Sequence, residues 1–267
     1  MKNAAIPLFF AFMLLTRVHA AEIAANHDDC FGSPCAHLNG EIKAGDLTKL
    51  KSVFYSPMRR RVFNVLNQEV FELSLNSRGG SLEEAMEIGR WVRKNNISTI
   101  MPMNSECFSA CVYILAAGVT KQVYYEAWRN KVGIHRPYLT RMPNEGVQVA
   151  IRKALADSRM YFAEMNIPEQ LADAMFSIPP EKVEILTDDR LSFYRLTGLD
   201  IVFEEETELK GAALFGMTRQ EYMQNKQLFD DEAKQKCFPL GGDEGSKCIQ
   251  STARKYGLHK SQMKQSR

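Results

Sequence analysis

The sequence contains no stretch long enough to span a bilayer. Its most continuous apolar run, Ile6 to Leu15, falls well short of the roughly 20 residues a membrane helix needs, and nothing later is longer. It carries no GxxxxGK[ST] loop, which removes the usual nucleotide-phosphate cradle. No CxxC pair appears, and no His stands at ligand spacing from a cysteine pair, so zinc is not expected and neither a metal nor another cofactor is implied. Net charge is also nearly absent. The formal +2 falls to zero without Lys2 and Arg17, which gives no electrostatic case for nucleic acid. Past Glu244 there is no acidic residue, while Lys247, Arg254, Lys255, Lys260, Lys264 and Arg267 remain, and that segment reads as a solvated basic tail.

The first twenty residues combine Lys2, the short apolar run and Val18-His19-Ala20, the pattern of a secretory signal at 1–20 with a small-x-small cleavage site. Ala21 and Glu22 follow instead of a lipid-accepting cysteine, so the expectation is a periplasmic or secreted protein. Six cysteines suit an oxidising compartment. They fall into neighbouring pairs: Cys30 and Cys35, Cys107 and Cys111, and Cys237 and Cys248, the last around the turn FPLGGDEGSK. Local pairing is the simplest connectivity. For Cys107 and Cys111, four apart, a bond is geometrically borderline, and buried free thiols are the alternative.

The remaining chain, about 247 residues, is enough for one large α/β domain with an appendage. Residues 21–38 read as an irregular, disulfide-pinned segment, 39–204 as the domain, and 205–267 as a helical appendage with the basic tail. Phe71, Leu73 and Leu75 alternate with Glu72 and Ser74, which predicts a half-buried strand over Glu69–Asn76. Ser77-Arg78-Gly79-Gly80 is a turn. Ser81 with Glu84 forms a capping-box signature for a helix whose face is Leu82, Ala85, Met86, Gly89 and Val92. A short strand follows at Ser98 to Met101. Phe108 to Ala117 is apolar nearly all round and predicts a buried helix. Strands are expected at Gln122–Tyr125 and Lys131–Ile134, long helix over Gly146–Met165, another from Pro168, strand at Glu184–Thr187, helix at Asp188–Tyr194 and a last edge at Leu196–Phe203.

Three features carry chemistry in an order that makes mutual sense. Gly79 and Gly80 allow a sharp turn that exposes N–H groups beside a helix start, where a developing oxyanion could sit. Ser109 opens the buried helix, so its hydroxyl can be held rigidly with the Ala110 N–H beside it. His135, delivered by Gly133-Ile134, has the near-neutral imidazole that a general base needs.

Together these residues resemble the proteolytic subunit of the Clp protease and its periplasmic relatives, over roughly Asn39 to Asp200. That family reads strand, N-S-P-G-G, helix; then a serine leading into a helix; then an I-H-x-P segment about 25 residues on, followed by a long helix. Here Asn76-Ser77-Arg78-Gly79-Gly80, Ser109 and Ile134-His135-Arg136-Pro137 stand in that order. The resemblance implies an α/β ClpP/crotonase-like spiral fold of repeated ββα units with a helical, disulfide-containing C-terminal appendage. It implies Ser109 as nucleophile, His135 as base, and Gly79, Gly80 and Ala110 around the oxyanion hole. It further implies a homo-oligomer acting on peptides or unfolded polypeptide without an ATP-driven unfoldase.

Three features depart from the family, one of them Cys107 and Cys111 around the serine, where a bond could brace the elbow. Arg78 replaces its Pro, which bears on turn rigidity or substrate charge. Val183 occupies the place of its triad Asp, leaving Glu184, Asp188, Asp189 or no residue as the third member. The alternatives to a serine peptidase are a non-catalytic scaffold that kept the fold, which Val183 favours, a crotonase-like acyl-thioester enzyme, and a thiol enzyme using Cys107 or Cys111.

Overall fold

A computed structural model describes residues 21–26, 30, 34–57, 61–64, 68–123, 129–138 and 144–262. The signal-like segment 1–20 and the tail cations Lys264 and Arg267 lie outside the described residues, as does the expected strand end at Tyr125. The chain is mixed α/β. Strand β1 (Glu22–Asn26) pairs antiparallel with β2 (Cys35–Asn39). The described part of 21–38 is therefore not irregular: β1 and β2 form the edge of the main sheet, and the Cys30–Cys35 disulfide pins the start of β2 as expected.

Helix α1 (Asp46–Phe54) and the small hairpin of β3 (Val62–Phe63) and β4 (Glu69–Val70) precede β5 (Glu72–Asn76). The strand expected over Glu69–Asn76 thus divides at Phe71. Glu72 and Ser74 are buried along with Leu73 and Leu75, so β5 is covered on both faces rather than half-buried. Parallel strands read as apolar runs only where nothing polar is enclosed, and here a carboxylate is enclosed. Burial raises the pKa of Glu72, although Gln122 donates to its carboxylate.

Next come α2 (Leu82–Lys94), β6 (Ser98–Ile100), β7 (Glu106–Phe108), α3 (Ala110–Ala117), β8 (Thr120–Gln122) and β9 (Lys131–Ile134). Ser81 caps α2 by accepting the Glu84 N–H. The reciprocal half of the capping box is missing, because the Glu84 carboxylate accepts the Leu47 N–H of α1 instead. That exchange ties α1 to the start of α2. Helices α2 and α3 pack on each other, with Gly89 of α2 close to Ala117 of α3, and Ala85, Ile88, Val92, Val112 and Leu115 are all fully buried in the main core.

After α4 (Asn144–Glu164) and α5 (Gln170–Ser177) the chain makes β10 (Glu184–Ile185), α6 (Asp188–Phe193) and β11 (Gly198–Leu199). The main sheet runs β1-β2-β5-β6-β8-β11, parallel from β2 to β8 with antiparallel edges. A smaller sheet runs β10-β9-β7. Ser77, one residue past β5, bridges to Cys107, so the chain leaves the large sheet and touches the small one where the glycine turn begins.

Helix α7 (Ile201–Phe215) starts inside the segment expected as a last edge and runs through the expected boundary at 204. Asp200 caps it and pairs with Arg93 of α2 at 2.8 Å, anchoring the C-terminal helices to the core. Helices α8 (Arg219–Glu232) and α9 (Gly242–Lys255) follow, and Cys237–Cys248 ties the π-turn after α8 to α9. Among the described residues no helix is long and apolar enough to cross a membrane.

Candidate active site

The glycine turn is built by close backbone approach. Ser77 donates its N–H to the Glu106 carbonyl at 2.7 Å and accepts the Phe108 N–H at 3.0 Å, which joins the turn to β7. Gly79 has φ 102° and Gly80 φ 143°, conformations that a side chain opposes. A Cβ on Gly79 would stand 2.8 Å from the Ser109 Cβ, and one on Gly80 would stand 2.2 Å from the Ile42 carbonyl oxygen. The Gly79 N–H donates to Ser77 Oγ, and its carbonyl accepts the Ile42 N–H. Gly79 is therefore engaged, and its part is to let Ser109 come near. The Gly80 N–H has no acceptor among the described residues.

Ser109 lies between β7 and α3 with φ 55° and ψ −122° and makes no side-chain cap bond. Such a backbone geometry costs about 1–3 kcal/mol in a residue with a side chain and persists only where the surroundings over-determine it. Here the Ser109 N–H donates to the Gly133 carbonyl at 3.0 Å, Gly79 abuts its Cβ, and the Cys107–Cys111 disulfide spans it. A strand, a strained serine and a helix together make a sharp elbow, the backbone shape in which a serine side chain is presented at a turn with the next N–H beside it. The Ala110 N–H, in the first turn of α3, has no acceptor among the described residues. The helix expected from Phe108 begins only at Ala110, and Glu106–Phe108 is strand instead. The signal for it is slight: polar Glu106 and apolar Cys107 just before the turn.

His135 follows β9 and is only 6% exposed. Its Nδ1 lies 2.8 Å from the Arg136 carbonyl oxygen. A carbonyl only accepts, so Nδ1 carries the proton and Nε2 is left as the ring's acceptor. The Arg136 N–H donates to the Ile178 carbonyl, which pins the peptide between His135 and Arg136. No hydrogen bond joins the Ser109 hydroxyl to His135. Catalytic hydrogen bonds are often long without a substrate and tighten when one binds.

No carboxylate orients the imidazole among the described residues. Strand β10 pairs Glu184 with Ile134 and Ile185 with Gly133, so the next rung sets Val183 beside His135. Val183 is 45% exposed and its Cγ1 lies over Gly133. Glu184 pairs with Arg190, and Asp188 and Asp189 open α6 in solvent. None of the three reaches His135.

Ser109, Ala110, His135, Gly79 and Gly80 all line one cleft of about 1190 Å³. Its floor includes Tyr113, Ala154 and Met175. The Tyr113 hydroxyl bonds to Ser158, and burial pushes its pKa up, so it is no acid or base near neutral pH. The rim is polar. Arg78 pairs with Glu106 at 2.8 Å, with Lys131 on the same carboxylate at 3.7 Å, and keeps its side chain 80% exposed. Arg78 thus fastens the turn to β7 as well as presenting charge at the cleft mouth.

All three cysteine pairs are bonded as local pairing predicts. On loop-closure entropy, Cys107–Cys111 contributes about 2 kcal/mol and the longer Cys237–Cys248 ring about 3 kcal/mol. The fold does bring one His to a cysteine pair, contrary to the spacing argument: His37 Nε2 is 3.6 Å from Cys35 Sγ. With Cys30 and Cys35 joined, no thiolate is offered to a metal there. No protein-family model and no curated sequence matches this chain.

Proposed function

We propose that this chain is a serine hydrolase of ClpP/crotonase type, exported and ATP-independent, that cleaves peptides or unfolded segments through Ser109 and His135. The observation that carries the proposal is the strained Ser109 elbow, with the Gly80 and Ala110 amides unengaged among the described residues and the imidazole in the same cleft. A structural serine has no need of a backbone geometry this unfavourable. Three disulfides support an oxidising compartment. The same resemblance makes the working form a homo-oligomer, which sedimentation of the full chain tests.

In the proposed reaction Nε2 of His135 takes the Ser109 proton as Oγ bonds to the substrate carbonyl carbon. The oxyanion receives the Gly80 and Ala110 N–H groups. The imidazolium then protonates the leaving amine as the C–N bond breaks, giving an acyl-enzyme that water hydrolyses with His135 again as base. The Arg136 carbonyl holds the tautomer in the place of the family's carboxylate. It stabilises the imidazolium less than a full negative charge would, which points to slow turnover.

The test is a fluorophosphonate probe on the folded protein. Labelling that is lost in Ser109→Ala and in His135→Ala supports the proposal. The second reading, a scaffold that kept the fold, is favoured by Val183 in the carboxylate position, and an unlabelled wild-type protein would establish it.

A further inference from the structure

The inference below rests on Ser109 being the nucleophile. Cys107 is the central residue of β7 and Cys111 the second residue of α3, so their bond closes a small ring around the elbow. Both cysteines are fully buried, and within the ring only Phe108 and Ser109 reach the surface in part. Phe108 packs against Gly133, beside the β9 end that delivers His135. A ring this short restrains the unfolded chain less than a long one does. Its position is what sets it apart: it joins the two elements whose relative placement holds Ser109 at φ 55°. Without the bond, a rotation about the Ser109 backbone would relieve the strain and turn the side chain away from the cleft.

We propose that the Cys107–Cys111 disulfide is the positioning element of Ser109, so that the hydrolase site forms only in the oxidised chain. The two thiols transfer two electrons and two protons to a disulfide oxidant, which leaves as two thiols while the Sγ–Sγ bond forms. The chain is then inert while its thiols are reduced and gains activity on meeting a thiol–disulfide oxidoreductase. Because the sulfurs are buried, the bond is set during folding and is not toggled afterwards.

The full chain is compared as wild type, as the double variant Cys107→Ala, Cys111→Ala, and as Cys237→Ala, Cys248→Ala, which loses a disulfide away from the cleft. The readouts are the maximal inactivation rate and the half-saturating concentration of a fluorophosphonate. The first double variant is expected to lose about 100-fold in maximal rate with half-saturation changed less than about twofold, while the control keeps both. A first variant that labels at the wild-type rate overturns the inference and leaves the hydrolase reading standing. Failure of the wild type to label overturns both. If the variant does not fold, wild type refolded from the reduced chain with limiting disulfide oxidant is labelled, alkylated and read by mass spectrometry. The Ser109 adduct should then occur only on molecules that retain Cys107–Cys111, and equal labelling of molecules alkylated at both cysteines overturns the inference.

Discussion

Two strand-to-helix turns meet at the cleft, and they answer the same steric demand in opposite ways. After β5 the chain turns through Gly79 and Gly80 at φ 102° and 143°. After β7 it turns through Ser109 at φ 55°. The first turn needs only backbone, so glycine removes the strain. The second carries a side chain at that point, so the strain is kept and external restraints hold it: the Gly133 carbonyl, Gly79 and the Cys107–Cys111 bond. Strain retained where a cheaper residue would fit is a sign of function. The two turns are also interdependent, because the bareness of Gly79 makes room for the serine.

The comparison breaks most visibly at Gly80. Gly80→Ala puts a methyl against the Ile42 carbonyl and a side chain at positive φ, an expected loss of about 3 kcal/mol. That corresponds to a melting temperature lower by roughly 10 °C; an unchanged melting curve would mean that the turn is not as close-packed as described. Gly79→Ala is expected to cost less stability, about 2 kcal/mol, because the added Cβ would come no nearer than 2.8 Å to Ser109 Cβ and 2.9 Å to the Phe108 carbonyl oxygen, against 2.2 Å to Ile42 at Gly80. Its larger effect is on reactivity, with fluorophosphonate labelling of Ser109 slowed about 100-fold. Labelling at the wild-type rate would separate the two turns.

Val183→Asp sharpens the contrast on the serine side. It adds a carboxylate on the rung beside His135, at a half-exposed position that tolerates charge. The tautomer is already held by Arg136, so only stabilisation of the imidazolium is gained, an expected rate increase of about 10-fold. A fall in rate would show that the carbonyl arrangement is the better one. The smallest effect on stability is that of Ser109→Gly, which relaxes the elbow. Stability should rise by about 1 kcal/mol and the melting temperature by roughly 3 °C, with labelling abolished. A less stable glycine variant would refute the claim that the elbow is strained.

Much of this arrangement could be read from local pattern. The helix from Leu82, the apolar helix ending at Ala117, the strand leading to His135 and the three neighbouring cysteine pairs each depend on residues close in sequence. What escaped depends on partners far along the chain. The 21–38 segment reads as irregular until β5 lies beside it. Glu72 looks solvent-facing until the second face of β5 is covered. Glu84 completes a capping box on paper, but the Leu47 N–H is the nearer donor in space.

The sequence by itself determined which chemical groups are present and in what order: two glycines, a serine between two cysteines, and an imidazole before a proline. It also determined that no acidic residue occupies position 183. The folded chain decided that the serine sits at positive φ, that among the described residues the Gly80 and Ala110 amides are unengaged while Gly79 is not, and that a backbone carbonyl stands at Nδ1 of His135. The physical reason is that each of these is a competition for hydrogen bonds and space among β5, β7, β9 and β10. Local propensity carries no information about which distant strand supplies the winning partner.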